Sequence, residues 1–106
     1  MAGIEVAAVI IDQVFSEFEL WRSGLPQGAI AGLRESDRPA AAGRAARLDV
    51  ETAARLVQVM IWESGEVDLL IGDLSSGEVL VNEHREISTQ HGIRELLADV
   101  LGAITE

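Results

Sequence analysis

Apolar residues return at helical spacing through Ile4, Ala7, Ala8, Ile11, Val14, Phe15, Phe18 and Trp21, while Glu5, Asp12, Glu17 and Glu19 lie off that stripe. This period predicts an amphipathic helix over about residues 3–22, stopped by Ser23-Gly24-Leu25-Pro26. The stripe reads as core packing rather than as an aromatic face for a cofactor. Gly28 to Arg34 reads as a weak strand. Glu35 to Ala46, rich in Ala, Gly and Arg with one Pro, reads as a loop and as the least ordered part of the chain.

The period then changes from helical to two-residue. Leu48, Val50 and Thr52 alternate with Asp49 and Glu51, as a half-buried strand does, and Arg55 to Trp62 follows with Val57, Val59 and Ile61 favouring strand. The phrase S-G-E-V then occurs twice, at 64–67 and at 76–79. Glu63-Ser64-Gly65 suits a three-residue hairpin loop in which Gly65 takes a positive φ. That loop pairs Trp62 with Glu66, Ile61 with Val67 and Val59 with Leu69, so one face collects Val57, Val59, Ile61, Val67, Leu69 and Ile71. The other face collects Gln58, Met60, Trp62, Glu66, Asp68 and Leu70. A two-residue loop would set Ile61 against Asp68 and mix the faces, so the pattern favours the longer loop.

Ser75-Ser76-Gly77 repeats the device, setting Leu74 against Glu78 and Ile71 against Val81. Val79 and Val81 then join the core face, and Leu80, Asn82, His84 and Glu86 the other. Glu83 and Arg85 fall on the core side, which implies a fringe position or a bulge there. A last apolar stripe, Ile93, Leu96, Leu97, Val100, Leu101 and Ile104, predicts a C-terminal helix with Ser88 or Thr89 at its start. The expected fold class is α+β: an N-terminal helix, an antiparallel meander of four to five strands and a C-terminal helix, with both helices on one sheet face. The other face is expected to be at least partly open.

Length and charge narrow the function. The 106 residues fit a single domain, 1–106, and a domain of this size buries roughly 65% of its unfolded surface. Asp and Glu number 18 against 8 Arg and no Lys, for a net charge of −10. Residues 22–55 hold six of the eight arginines and four acids, whereas 56–106 carry a net −8. Such a field repels nucleic acid and anionic membrane and favours a basic partner. Cysteine is absent, which removes disulfides and thiol chemistry. The N-terminus has no basic region ahead of its apolar residues and does not read as a signal peptide, and no apolar run approaches the length of a membrane span. The cytoplasm is the default compartment.

Catalytic chemistry finds little to stand on. His84 and His91 are the two histidines, and they do not form an i, i+4 metal pair. His84, beside Glu83 and Glu86, reads as a solvated strand residue rather than a ligand. Ser64, Ser75 and Ser76 have turn reasons to be where they are, without a nucleophile elbow. I-G-D-L-S-S-G-E at 71–78 lacks the Lys and the helix of a phosphate loop. No catalytic, metal or cofactor-binding residue is assigned. The distinctive feature is the open face, where Met60, Trp62, Leu70 and Leu80 stand beside Glu66, Asp68, His84 and Glu86. Apolar patches edged by polar groups mark interaction surfaces, and Trp is enriched among their anchors. The candidate partner-binding residues are Met60, Trp62, Glu63, Glu66, Asp68, His84 and Glu86, with an exposed Trp62 as the anchor. The competing reading has this face covered by another protomer or by residues 22–47.

Several of these residues also carry a resemblance. Phe15, Phe18 and Trp21 at three-residue spacing, I-W-E-S-G-E-V-D at 61–68, S-G-E at 76–78 and E-H-R-E-I at 83–87 before a leucine-rich helix make the chain similar to the TriTu family of bacterial immunity proteins. The likeness spans roughly residues 12–104 and is firmest over 57–87. It implies a cytoplasmic antidote without enzymatic activity or cofactor. The antidote would bind a cognate ADP-ribosyltransferase toxin domain of an Rhs-type effector, as a monomer or 1:1 heterodimer, and block its cleft. Two other classes are an effector-secretion chaperone, which usually inserts a dimerising helix within its sheet, and a small enzyme or acidic adaptor module.

Overall fold

The computed structural model describes residues 2–35 and 43–105, with the side chains of the first helix described from Ile11 onward. Helix α1 (Ala2–Trp21) ends in a short 3-10 turn at Arg22–Gly24. Five strands follow, β1 (Ile30–Glu35), β2 (Ala45–Glu51), β3 (Arg55–Trp62), β4 (Glu66–Asp73) and β5 (Val79–Glu86), and helix α2 (Gln90–Thr105) closes the chain. The strands form one antiparallel meander in sequence order, β1-β2-β3-β4-β5. The α+β architecture expected from the two periods is the one observed.

Alternation along β2, β3 and β4 decides where the core lies. Ala46, Leu48, Val50, Val57, Val59, Ile61, Val67, Leu69 and Ile71 are all buried on one face. Against them pack Ile11, Val14 and Phe18 of α1 and Ile93, Leu96, Leu97, Val100 and Ile104 of α2, in one continuous cluster. Both helices therefore cover the same side of the sheet. Ile4, Ala7 and Ala8, expected on the α1 stripe, lie outside the described side chains. Thr89 supplies the α2 cap, its hydroxyl accepting the Gly92 N–H at 3.1 Å.

Polar contacts fix the layers laterally. The Trp21 indole N–H donates to the Leu97 carbonyl at 2.8 Å, tying α1 to α2. Glu17, placed off the apolar stripe by its period, is nonetheless buried at 5% exposure. It accepts hydrogen bonds from Gln90 at 2.6 Å and from Arg94 at 3.1 Å, because α2 crosses the flank of α1 and not only its apolar stripe. The Arg94 hydrogen bond, followed by that from Gln90, holds the Glu17 carboxyl below the usual carboxylate range. Arg44, just ahead of β2, links two elements, reaching Glu35 of β1 at 2.7 Å and Asp12 of α1 at 3.6 Å.

Two sequence expectations need correction. The loop read over 35–46 ends earlier: β2 begins at Ala45, and Ala46 is fully buried. Alanine has little intrinsic strand preference, so only tertiary pairing with Ile61 reveals this end of the strand. The remainder of that loop, 36–42, lies outside the described residues. The second correction is in β5. Val79, expected in the core, is 62% exposed. The Asp73 N–H bonds to the Glu78 carbonyl at 2.8 Å, so the loop holds four residues, Leu74 to Gly77, and the expected Leu74–Glu78 pairing is not formed. A bulge opposite Ile71 and Gly72 then absorbs one residue, so that Ile71 still faces Val81 as expected. Glu83 and Arg85 do occupy a fringe: β5 is an edge strand, and Arg85 reaches Asp99 of α2 at 2.6 Å.

Candidate functional site

The face of the sheet that the helices leave open is built by the pleat itself. Register aligns Arg47 with Met60, Met60 with Asp68, and Asp68 with His84 across β2 to β5. The next row aligns Asp49, Gln58, Leu70 and Asn82. Arg47, Gln58, Met60, Asp68, Leu70 and Asn82 line a shallow depression of about 310 Å³. Arg47 is held over the face by Asp49 at 3.0 Å.

Beside this depression the carboxylates converge on one imidazole. His84 Nδ1 lies 2.9 Å from Asp68 Oδ1, and Nε2 lies 3.7 Å from Glu66 Oε1. The Asp68 hydrogen bond, reinforced by the charges of Asp68, Glu66 and Glu86, raises the His84 pKa above its usual value. Both ring nitrogens thus face carboxylates, and neither is aimed at a nucleophile. The Ser64 hydroxyl, the nearest hairpin candidate for one, donates to Glu66 at 3.3 Å. A general base needs a free nitrogen within reach of the proton it takes. Among the described residues, no group of three or more His, Cys, Asp or Glu could hold a metal ion. The arrangement can present negative charge and accept hydrogen bonds from a partner.

The structure brings Met60, Glu66, Asp68, His84 and Glu86 together, with Trp62 and Glu63 at the hairpin end of the same sheet. Trp62 is half-buried, with Ala45 as its cross-strand partner, rather than exposed as expected of a free anchor. Glu63 turns toward the start of β2. Its N–H donates to the Arg44 carbonyl at 2.7 Å, and its side chain lies where a Cβ on Gly43 would be. Sequence reasoning missed Arg47 and treated Gln58 and Asn82 as unremarkable strand positions. The register that places them is held in the β2–β3 turn, where the Thr52 hydroxyl accepts the Ala54 and Arg55 N–H groups. That turn contains no Gly, Pro, Asn or Asp to announce it.

These features define the class: a small acidic α+β domain with a helix-covered core and one sheet face that no described helix covers. The model of the TriTu immunity protein family matches residues 31–102, about two thirds of the chain and all five strands, so the chain belongs to that family of toxin-neutralising immunity proteins. No curated protein matches the chain. No helix among the described residues is long and apolar enough to cross a membrane.

Proposed function

We propose that the protein neutralises a cognate ADP-ribosyltransferase toxin in the cytoplasm by laying its open sheet face over the toxin's active-site cleft, as a 1:1 complex and without enzymatic activity of its own. The observation that carries this reading is the group of Glu66, Asp68 and Glu86 around His84, beside a depression that no described helix covers. A cleft that binds the pyrophosphate of a dinucleotide offers N–H and cationic donors, and a cluster of carboxylates is complementary to both. The net charge of −10 adds steering at longer range and disfavours nucleic acid and anionic membrane as alternative partners. The secretion-chaperone reading is weaker, because among the described residues no helix interrupts the sheet between β1 and β5.

Co-expression of the toxin domain with and without this chain tests the protection, and association kinetics test the surface. The association rate should rise about 10–10³-fold as ionic strength is lowered. Glu66→Arg combined with Asp68→Arg should abolish most of that gain while leaving the fold intact. A rate flat in salt would remove the acidic corner from the interface.

A further inference from the structure

The open face has a second end, and it is mostly apolar. About six residues along β4 from Glu66, or roughly 20 Å, a smaller depression of about 220 Å³ is lined by Leu56, Leu70, Leu74 and Val79 around Gly72, with Asp73 and Glu78 also on its wall. It shares Gln58 and Leu70 with the depression beside the acidic corner, so the two adjoin on the open face. Leu74, Val79 and Leu80 are 46%, 62% and 44% exposed. Single exposed apolar residues need no explanation. Three within seven residues, one in the β4–β5 loop and two on the edge strand β5, where exposed apolar surface invites aggregation, do. The β5 bulge accounts for Val79, which without the one-residue shift would point into the core with Val81.

We infer that this apolar end is a second anchor for the same toxin partner, seating an apolar protrusion that stands beside the toxin's basic patch. The inference rests on the toxin-binding reading above. Charge complementarity assigns the acidic corner to the partner's cations, and the adjoining depressions carry the contact on to Leu56, Leu74 and Val79. Size supports one protein surface spanning both ends. Strands of eight residues run about 26 Å, and five strands cover about 24 Å, giving a face on the order of 600 Å². That is close to the ~800 Å² per partner of an ordinary protein interface and far beyond a small ligand. The two ends divide the work, with charge governing encounter and the apolar end governing residence.

The test uses the full chain and a purified cognate toxin domain. Leu74→Ser with Val79→Ser should speed dissociation about tenfold or more, leave the association rate within about twofold, and keep the salt dependence of wild type. Both residues are exposed, so the melting temperature should not move. Val79→Thr, of the same shape and strand preference, provides a gentler second variant and should shift dissociation in the same direction. Wild-type dissociation from both variants, while Glu66→Arg with Asp68→Arg still slows association, would overturn the apolar anchor and leave the toxin reading standing. No binding of the toxin domain by wild type would overturn both.

Discussion

Ser64-Gly65-Glu66-Val67 and Ser76-Gly77-Glu78-Val79 are the same four residues, each at a turn between antiparallel strands, yet Val67 is fully buried and Val79 points to solvent. The glycines agree, with φ of +96° at Gly65 and +75° at Gly77. What differs lies upstream. In the first hairpin the Gly65 N–H bonds to the Trp62 carbonyl at 2.8 Å and closes a three-residue loop. In the second the Gly77 N–H reaches back to Asp73, also at 2.8 Å, and the loop gains a residue. Asp73 holds it open by accepting the Ser75 N–H at 3.0 Å and the Ser75 hydroxyl at 2.8 Å. Aspartate is short enough to bond the backbone two residues on. Its counterpart in the first loop is Trp62, which has no carboxylate to do so. Identical turn phrases therefore specify a glycine conformation but not a register, and one upstream side chain decides which valine the core receives.

Truncating each valine in turn should separate the two hairpins most widely. Val67→Ala should cost about 2 kcal/mol, because it removes fully buried methyl groups and leaves a cavity between β3, β4 and the helices. For a domain of about 100 residues that lowers the melting temperature by roughly 8–16 °C. Val79→Ala should stay within about 0.5 kcal/mol, as exposed positions do. Denaturant unfolding of the two variants measures the difference directly. Equal losses would mean that the bulge does not persist in solution and that β5 pairs in the uninterrupted register.

A smaller effect is expected at the glycines. An L-residue in the left-handed region costs about 1–2 kcal/mol, so Gly65→Ala and Gly77→Ala should both destabilise. Gly65 is buried and Gly77 has open space where a Cβ would stand, so Gly65→Ala should be the worse of the two. Gly77→Asn should recover much of its loss, because Asn tolerates this conformation better than Ala. If Gly77→Asn and Gly77→Ala unfold at the same denaturant concentration, the positive φ is not what position 77 requires.

These hairpins also explain what could be read in the chain. β3 and β4 were legible to the residue, because strict alternation of Val57, Val59 and Ile61 against Val67, Leu69 and Ile71 tolerates one register only. β5 was not, because Val79-Leu80-Val81 is apolar at three consecutive positions and satisfies either register until the bulge is known. The acidic corner was legible for the same reason as the first hairpin: Asp68 and His84 follow from register, and they pair in the structure. Arg47 was hidden by the alanine-rich approach to β2, and the burial of Glu17 by a helix crossing that no local period encodes. The place of Val79 at the apolar end of the open face was hidden by the bulge that puts it there.

The smallest expected effect belongs to the acidic corner. His84 has a raised pKa in the folded chain, first through its hydrogen bond to Asp68 and then through the charges of Asp68, Glu66 and Glu86. A group whose folded pKa lies above its unfolded value of about 6.5 favours folding fully below that value, and loses the contribution as pH rises through the folded pKa. His84 and Asp68 are both about half exposed, so solvent screens the pair and its contribution is small. Wild type should therefore gain slightly over Asp68→Asn below about pH 6.5, and the gain should vanish once pH passes the raised value. Following the His84 ring protons by NMR gives the cleaner reading: its titration midpoint should fall in Asp68→Asn and stay unchanged in Val79→Ser, at the far end of the same face. The protonated ring also cancels one unit of the corner's negative charge, so association with the toxin should slow as pH falls through this titration, and dissociation from the apolar end should not change. A midpoint unmoved by Asp68→Asn would show that the pair in the sheet does not set the charge of the corner.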